Sequence, residues 1–398
     1  MIKMGIECHN LEQPRWGVGH YITSFLQEVA KKNPSDFKFY LYFHKKIPDF
    51  EVLKNPIFEK KIIKPLFGKP SMNIFYHILM PLTARKDKID IMFLPSYLMP
   101  IFYLLPFAKR FLKFKTIVTL HDISYTAHPE WFRKIRLINY RISTFVAVKK
   151  ADLILTISEF SKKEIIKYYN INPNKIAVNY LAIRDVFLKS EKIDESYLDL
   201  IKNKYGIKDK FILFVGQATL RRRVRELIMA FKNIGKEFPG YQLFIVGFDR
   251  SYPFYDLDKL IRQTNDYLSR QAVQRIDYIE QDSDILALYK KASLFVYISS
   301  YEGFGLPPIE ALSCGTPIVI KANELSKELL NDKAFLVKDE TDPIDIAKTI
   351  KKALENKNQA MDLVSQGQEE LKKFSWEKHT EKLLRLFQSI NNSGNLKK

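Results

Sequence analysis

Short apolar runs separated by longer amphipathic stretches organise the first half of the chain. Residues 2–8, 37–43, 89–94, 116–120 and 153–157 are rich in β-branched and aromatic side chains, which predicts buried strands. Between the first two, Ile22, Phe25, Leu26 and Val29 share one face of a helix predicted over 20–31. Ser158, just past the 153–157 run, is placed to cap another helix. A polar, charged stretch over 190–209 has the content of a linker plus a short surface helix. The pattern then restarts, with strands predicted at 211–216, 241–247, 294–298 and 317–321 and a helix through 226–231. A last helix is predicted over 376–389, with Ser375 as its N-cap. Strands alternating with helices give parallel sheets covered on both faces. The expected architecture is α/β with two doubly wound domains: 1–189, a linker at 190–209, 210–373, and a terminal helix within 374–390. Ligands of such sheets bind at the carboxyl ends of the strands.

The most informative string follows the 294–298 strand. Glu302 and Glu310 are seven residues apart, with Gly303, Phe304, Gly305 and Leu306, then two prolines, between them. The order is strand, tight glycine turn, helix start. Pro307 or Pro308 suits the first helical position, where a missing N–H costs nothing. Backbone N–H groups at such a turn face an anion, and the helix dipole adds positive potential. Carboxylates beside an anion site repel phosphate but accept hydrogen bonds from hydroxyls. A ligand carrying both a diphosphate and sugar hydroxyls accounts for both features.

Other candidates lie at strand ends. Gly17 and Gly19 open the first helix, where a glycine turn lets N–H groups approach a phosphate or a sugar. Arg15 stands close by in sequence and could add charge. His121 ends the 116–120 strand and from there can reach into a cleft, whereas Asp122 suits a cap for the following turn. Gly216 ends the 211–216 strand, and Arg221, Arg222, Arg223 and Arg225 follow it. Guanidinium groups bind phosphate oxygens in a bidentate fork, and a bound anion would offset their repulsion by a helix N-terminus.

These strings resemble the retaining glycosyltransferases of family 4, whose fold is GT-B. The match of Glu302 to Glu310 with the family's Glu-x7-Glu motif carries the resemblance, and residues 311–319 continue it. It implies two Rossmann-like domains facing an interdomain cleft, with the terminal helix crossing back to the first domain. By resemblance, Glu302 contacts the donor sugar, Glu310 the nucleotide ribose, and the backbone from Gly303 to Leu306 the diphosphate and sugar. His121 would contact the donor sugar near the reacting centre, and the loop of Gly17 and Gly19 would line the cleft. Arg221 and Arg222 match the family's diphosphate-binding Arg-Lys pair, and Gly216 joins the donor-binding set. Arg223 stands where the family commonly has Asn. The sequence around His121 is most similar to mannosyltransferases of surface polysaccharides. This favours GDP-mannose as donor and a glycan or lipid-linked acceptor. The implied chemistry is metal-independent transfer with retention at the anomeric carbon, with the leaving phosphate helping to deprotonate the acceptor. An epimerase or phosphorylase of the same fold, or a non-catalytic binder of anionic lipid or nucleic acid, remain as alternatives.

Charge adds a second theme. The net charge is +19, and residues 1–150 carry 25 Lys/Arg against 11 Asp/Glu. This asymmetry points the first half at an anionic partner. Residues 91–108 contain no charge, but Pro95, Pro100 and Pro106 argue against a spanning helix. Lys109, Arg110, Lys113 and Lys115 follow, so 99–115 is expected to meet an anionic membrane surface rather than nucleic acid. Two cysteines, Cys8 and Cys314, form no disulfide framework, and the start lacks a signal-peptide core. The expected location is cytoplasmic, peripheral on the inner face of the cell membrane. No cofactor and no metal are expected; Asp282 to Asp284 instead read as a helix cap.

Overall fold

A computed structural model of the chain describes residues 1–12, 17–64, 71–188 and 193–395. They form two compact units. The first comprises Met1–Pro129, Lys134–Ala182 and the chain from Ser375 onward; the second comprises Glu130–Arg133 and Ile183–Phe374.

The first unit is built on seven parallel strands: β1 (Ile2–Glu7), β2 (Phe37–Phe43), β3 (Phe58–Ile62), β4 (Ile91–Leu94), β5 (Lys115–Thr119), β6 (Leu153–Thr156) and β7 (Ile176–Val178). Their order in the sheet is β3-β2-β1-β4-β5-β6-β7. Central strands such as β4 and β6 are buried along their whole length, because helices cover both faces. The first helix, Val18–Lys32, buries Tyr21, Ile22, Phe25, Leu26 and Val29 and ends at Asn33 in the left-handed region. Ser158 caps the helix Glu159–Tyr169 by accepting from the Ser161 amide. The terminal helix Trp376–Asn395 packs on Val18–Lys32 within this unit, and the Ser375 hydroxyl accepts from the Lys378 amide. The uncharged stretch after β4 breaks at its prolines into a 3-10 turn, Ile101–Leu104, and a short helix, Ala108–Leu112. Among the described residues no helix is long and apolar enough to cross a membrane.

The second unit has six parallel strands: β8 (Lys210–Val215), β9 (Tyr241–Val246), β10 (Val273–Ile276), β11 (Leu294–Tyr297), β12 (Ile318–Lys321) and β13 (Phe335–Val337). They run in the order β10-β9-β8-β11-β12-β13. The described part of the 190–209 stretch contains a helix, Glu195–Tyr205, which buries Leu198 and Ile201 against the helix Asp282–Lys291. Each sheet therefore has one point where the strand order reverses: β1/β4 in the first and β8/β11 in the second. Crevices for ligands open at such points.

Candidate active site

The second unit's switch point collects most of the sequence candidates. β8 ends at Val215, and the chain turns at Gly216, whose φ is +148°. A Cβ there would sit 2.9 Å from an Arg222 Nη1, a side-chain end that could shift, so it is the positive φ that favours glycine. β9 ends likewise at Gly247, where a Cβ would fall 1.8 Å from the Gly216 carbonyl oxygen. The chain then makes a 3-10 turn, Leu220–Arg222, before the helix Val224–Ile234.

Glu302, in the loop after β11, is held by this turn. Its carboxylate accepts from Arg222 Nε at 3.2 Å, the Tyr297 hydroxyl at 2.8 Å and the Ser299 hydroxyl at 3.1 Å. A second guanidinium, Arg221, lies 3.5 Å from its other oxygen. Backbone bonds tie the two loops together, since the Ser300 amide donates to the Arg221 carbonyl at 2.7 Å. Burial pushes the Glu302 carboxyl up, but Arg221 and Arg222 outweigh it and hold the group below its ordinary range. Burial raises the Tyr297 phenol, which therefore remains a donor to Glu302.

Two neighbouring arginines serve the scaffold instead. Arg223 adopts a left-handed φ of +53°, and its Nε donates to the Ser300 hydroxyl at 2.7 Å. Asn tolerates that backbone region far better than Arg, which gives a physical reason for the family's common residue there. Arg225 lies over the Tyr255 ring at 4.7 Å.

Glu302, Phe304 and Gly305 line an open hollow, together with Lys321, Asn323 and Ser326. Gly305, at φ +84°, precedes the helix Leu306–Ser313. That helix begins at Leu306, so the prolines occupy its second and third positions rather than its first. Two of its first four N–H groups are thereby absent, and an anion would be met by the amides of Leu306 and the preceding loop. Gly303 and Phe304 lie in that loop. Lys321, at the carboxyl end of β12, is ion-paired with the buried Glu340.

Glu310 is buried within the same helix and away from that wall. Arg184 Nε donates to it at 3.1 Å and the Tyr289 hydroxyl at 3.3 Å. Burial pushes its carboxyl up against the opposing pull of Arg184 and Tyr289. Arg184 also reaches Asp282 at 2.7 Å. Sequence reasoning missed both Arg184 and Lys321. Lys321 left a signal, a cation at the end of a buried strand, whereas nothing local marks Arg184. Asp284 is buried in the first turn of its helix and accepts from Tyr197, Lys204 and Tyr205 at 2.6–2.7 Å. No cluster of three metal-ligating side chains occurs among the described residues.

The first unit holds the remaining candidates. His121 follows β5 and its Nε2 lies 2.9 Å from the Pro95 carbonyl oxygen. A carbonyl only accepts, so Nε2 carries the proton and Nδ1 is the acceptor nitrogen. Burial lowers the His121 pKa, which keeps the ring neutral, and Tyr21 packs against it edge-on at 5.2 Å. Asp122 accepts from the Ser124 amide and hydroxyl and thereby caps the next turn. Gly17, at φ +28°, precedes the helix Val18–Lys32, and a Cβ on Gly19 would press on the Asn10 carbonyl at 3.1 Å. Arg15 lies outside the described residues.

Comparison with known proteins places these sites in a wider group. Residues 17–185 match the model of Glycosyltransferase Family 4, and residues 199–370 that of Glycosyl transferases group 1. The chain is 29% identical to the O-antigen chain mannosyltransferase B of Escherichia coli over 69% of its own length and 71% of that protein's. It is 27% identical to the serotype-specific mannosyltransferase WbdA of Escherichia coli, over 66% of this chain but only 32% of WbdA. Among solved structures it superposes on Anabaena HepE, crystallised with UDP-glucose, at a TM-score of 0.72 and 17% identity, covering 98% of this chain and all of that one.

Proposed function

Because the chain belongs to the family 4 glycosyltransferases and has their two-sheet GT-B fold, we propose that it moves a hexose, mannose foremost, from a nucleotide diphospho-sugar onto a glycan or lipid-linked acceptor of a surface polysaccharide. The observation that carries this reading is the pair of guanidiniums gathered on one carboxylate at the switch point. Glu302 offsets one of the two positive charges of Arg221 and Arg222, and the cluster keeps a net positive charge. With donor bound, those guanidiniums and the loop amides before Leu306 would face the diphosphate. Negative charge grows on that diphosphate as the glycosidic bond breaks, and fixed donors stabilise it without reorganising. Glu302, held ionised, would then orient sugar hydroxyls, and Glu310 the ribose.

His121, by the family resemblance, would meet the donor sugar near the reacting carbon. A neutral ring suits that place, because a cation there would oppose an oxocarbenium-like centre. No side chain is assigned as general base; the leaving phosphate takes that role, with retention at the anomeric carbon. Two arginines supply the positive charge that a divalent ion would otherwise bring, so the reaction proceeds without metal. GDP-mannose is the favoured donor and the cytoplasmic side of a membrane the place of action.

A thermal-shift screen against GDP, UDP, ADP and dTDP, followed by transfer assays with the matching sugars, tests the reading. GDP should raise the melting temperature, Arg222→Ala should abolish the rise, and EDTA should leave transfer unchanged. Lack of binding to every nucleotide, together with no transfer or donor hydrolysis, would overturn it.

A further inference from the structure

The helix Lys134–Lys150 of the first unit is apolar on two sides. Its inner face buries Ser143, Thr144, Val146, Ala147 and Val148. On the outer face Ile135, Ile138, Ile142 and Phe145 follow one another at three- and four-residue intervals, one stripe of a helix. They are 79%, 56%, 42% and 50% exposed. The stripe does not stand alone. The helix packs on the turn Ile101–Leu104, and Tyr140 meets Tyr97 edge-on at 4.8 Å. That turn in turn contacts the helical segment before it, where the Ile101 amide donates to His77 Nδ1 at 3.2 Å. Both neighbours expose apolar side chains as well: Leu104, Leu105 and Phe107 in one, Ile78 and Leu82 in the other. Contiguous exposure of this kind marks an interaction surface.

Charge identifies the occupant. Residues 72–86, 101–115 and 134–150 carry two, four and five Lys/Arg, eleven in all, and not one Asp or Glu. A second copy would set eleven positive charges against eleven. A nucleic acid would match the charge but leaves isoleucines and phenylalanines nothing to bury in. A bilayer with anionic headgroups takes both, the apolar stripe at the acyl boundary and the cations among the phosphates. Cations already lie over rings here, Arg85 at 3.6 Å from the Phe111 centroid and Lys149 at 5.9 Å from that of Phe145. Long basic side chains can extend from such positions to the headgroup level while their stems cover apolar surface.

We infer that this face docks the chain on an anionic membrane, with the helix Lys134–Lys150 lying in the headgroup layer. The docking surface is thus wider than residues 99–115, and its most exposed apolar element lies outside them. The inference depends on the proposed lipid-linked acceptor for its purpose only, and lipid binding is read without any acceptor.

The test is vesicle flotation of the full chain with phosphatidylcholine alone and with added phosphatidylglycerol. Binding should require the anionic lipid and weaken with salt. The triple variant Ile135→Ser, Ile138→Ser, Phe145→Ser should bind at least about tenfold more weakly with an unchanged melting temperature, since each group is already exposed. If the triple variant loses stability, the charge reversals Lys134→Glu and Arg141→Glu serve in its place and should give the same loss. Flotation unaltered in a folded variant, or no flotation of the wild type, would overturn the inference. So would a wild-type dimer that the triple variant dissociates while neither floats. Nucleotide binding that persists through such a failure leaves the glycosyltransferase reading standing, whereas flotation without nucleotide binding does the reverse.

Discussion

His379 offers a quantitative check on how the terminal helix is fastened to the first unit. The side chain is buried, with Nδ1 2.7 Å from the Tyr180 carbonyl oxygen and Nε2 3.2 Å from Asn179 Nδ2. The carbonyl takes a proton from Nδ1 and the amide gives one to Nε2, so the pocket is made for the neutral ring. Burial lowers its pKa from 6.5 to about 4. The unfolded chain therefore binds this proton more readily than the folded one, and stability is lost as pH falls from 6.5 towards 4. The full gap corresponds to roughly 3 kcal/mol, of which about 2 kcal/mol has gone by pH 5. The variant His379→Asn keeps a donor for Tyr180 but cannot titrate. Urea titrations at pH 7, 6 and 5 should show the wild type losing about 2 kcal/mol more than the variant. Trp376, whose ring centre is 5.0 Å from that of His379, provides a local fluorescence signal. His121, also kept neutral by burial, is present in both proteins, and its repulsion of a protonated His379 adds to the wild type's loss. Parallel loss of stability in the two would show that His379 is not held neutral by this pocket.

Two further substitutions separate binding from support in the second unit. Glu302→Gln retains an acceptor for Tyr297 but removes the charge beside Arg221 and Arg222. GDP affinity should hold or increase while turnover falls by about a hundredfold, the scale of one electrostatic contact to the reacting group. Equal losses in both, by calorimetry and rate assay, would remove Glu302 from the chemistry. Arg184→Ala leaves Glu310 buried without its cation and should cost about 3 kcal/mol of stability. Adding Glu310→Gln should restore a large part of it, whereas simple additivity in denaturant titrations would show that the two do not act as a pair.

The legible parts of the chain were those with strong local patterns. Strands buried on both faces read as apolar runs, and nine of them, from β1 through β12, lie within about two residues of the expected spans. The Glu302 string announced itself through a glycine turn and prolines beside carboxylates. Short edge strands were not legible: β3 reads Phe-Glu-Lys-Lys-Ile, and β7 and β13 have three residues each. The helix Lys134–Lys150 escaped because apolar groups on opposite faces cancel the periodic signal that marks a one-sided helix.

The harder limit is pairing through space. Arg184 and Glu310 are 126 positions apart, and Arg222 and Glu302 are 80. Spacing within either string says nothing of the other. Arginines before a helix raise a local conflict, since cations oppose its dipole. The sequence poses that conflict and offers a bound anion as one resolution. The fold supplies another, because β8 and β11 are neighbours and bring Glu302 to the guanidiniums before any ligand arrives. In the proposed reaction a diphosphate would share these guanidiniums with Glu302, which would make the carboxylate part of the balance between holding the donor and releasing the nucleotide. That balance is a property of strand order, which is why it lies beyond the reach of a motif.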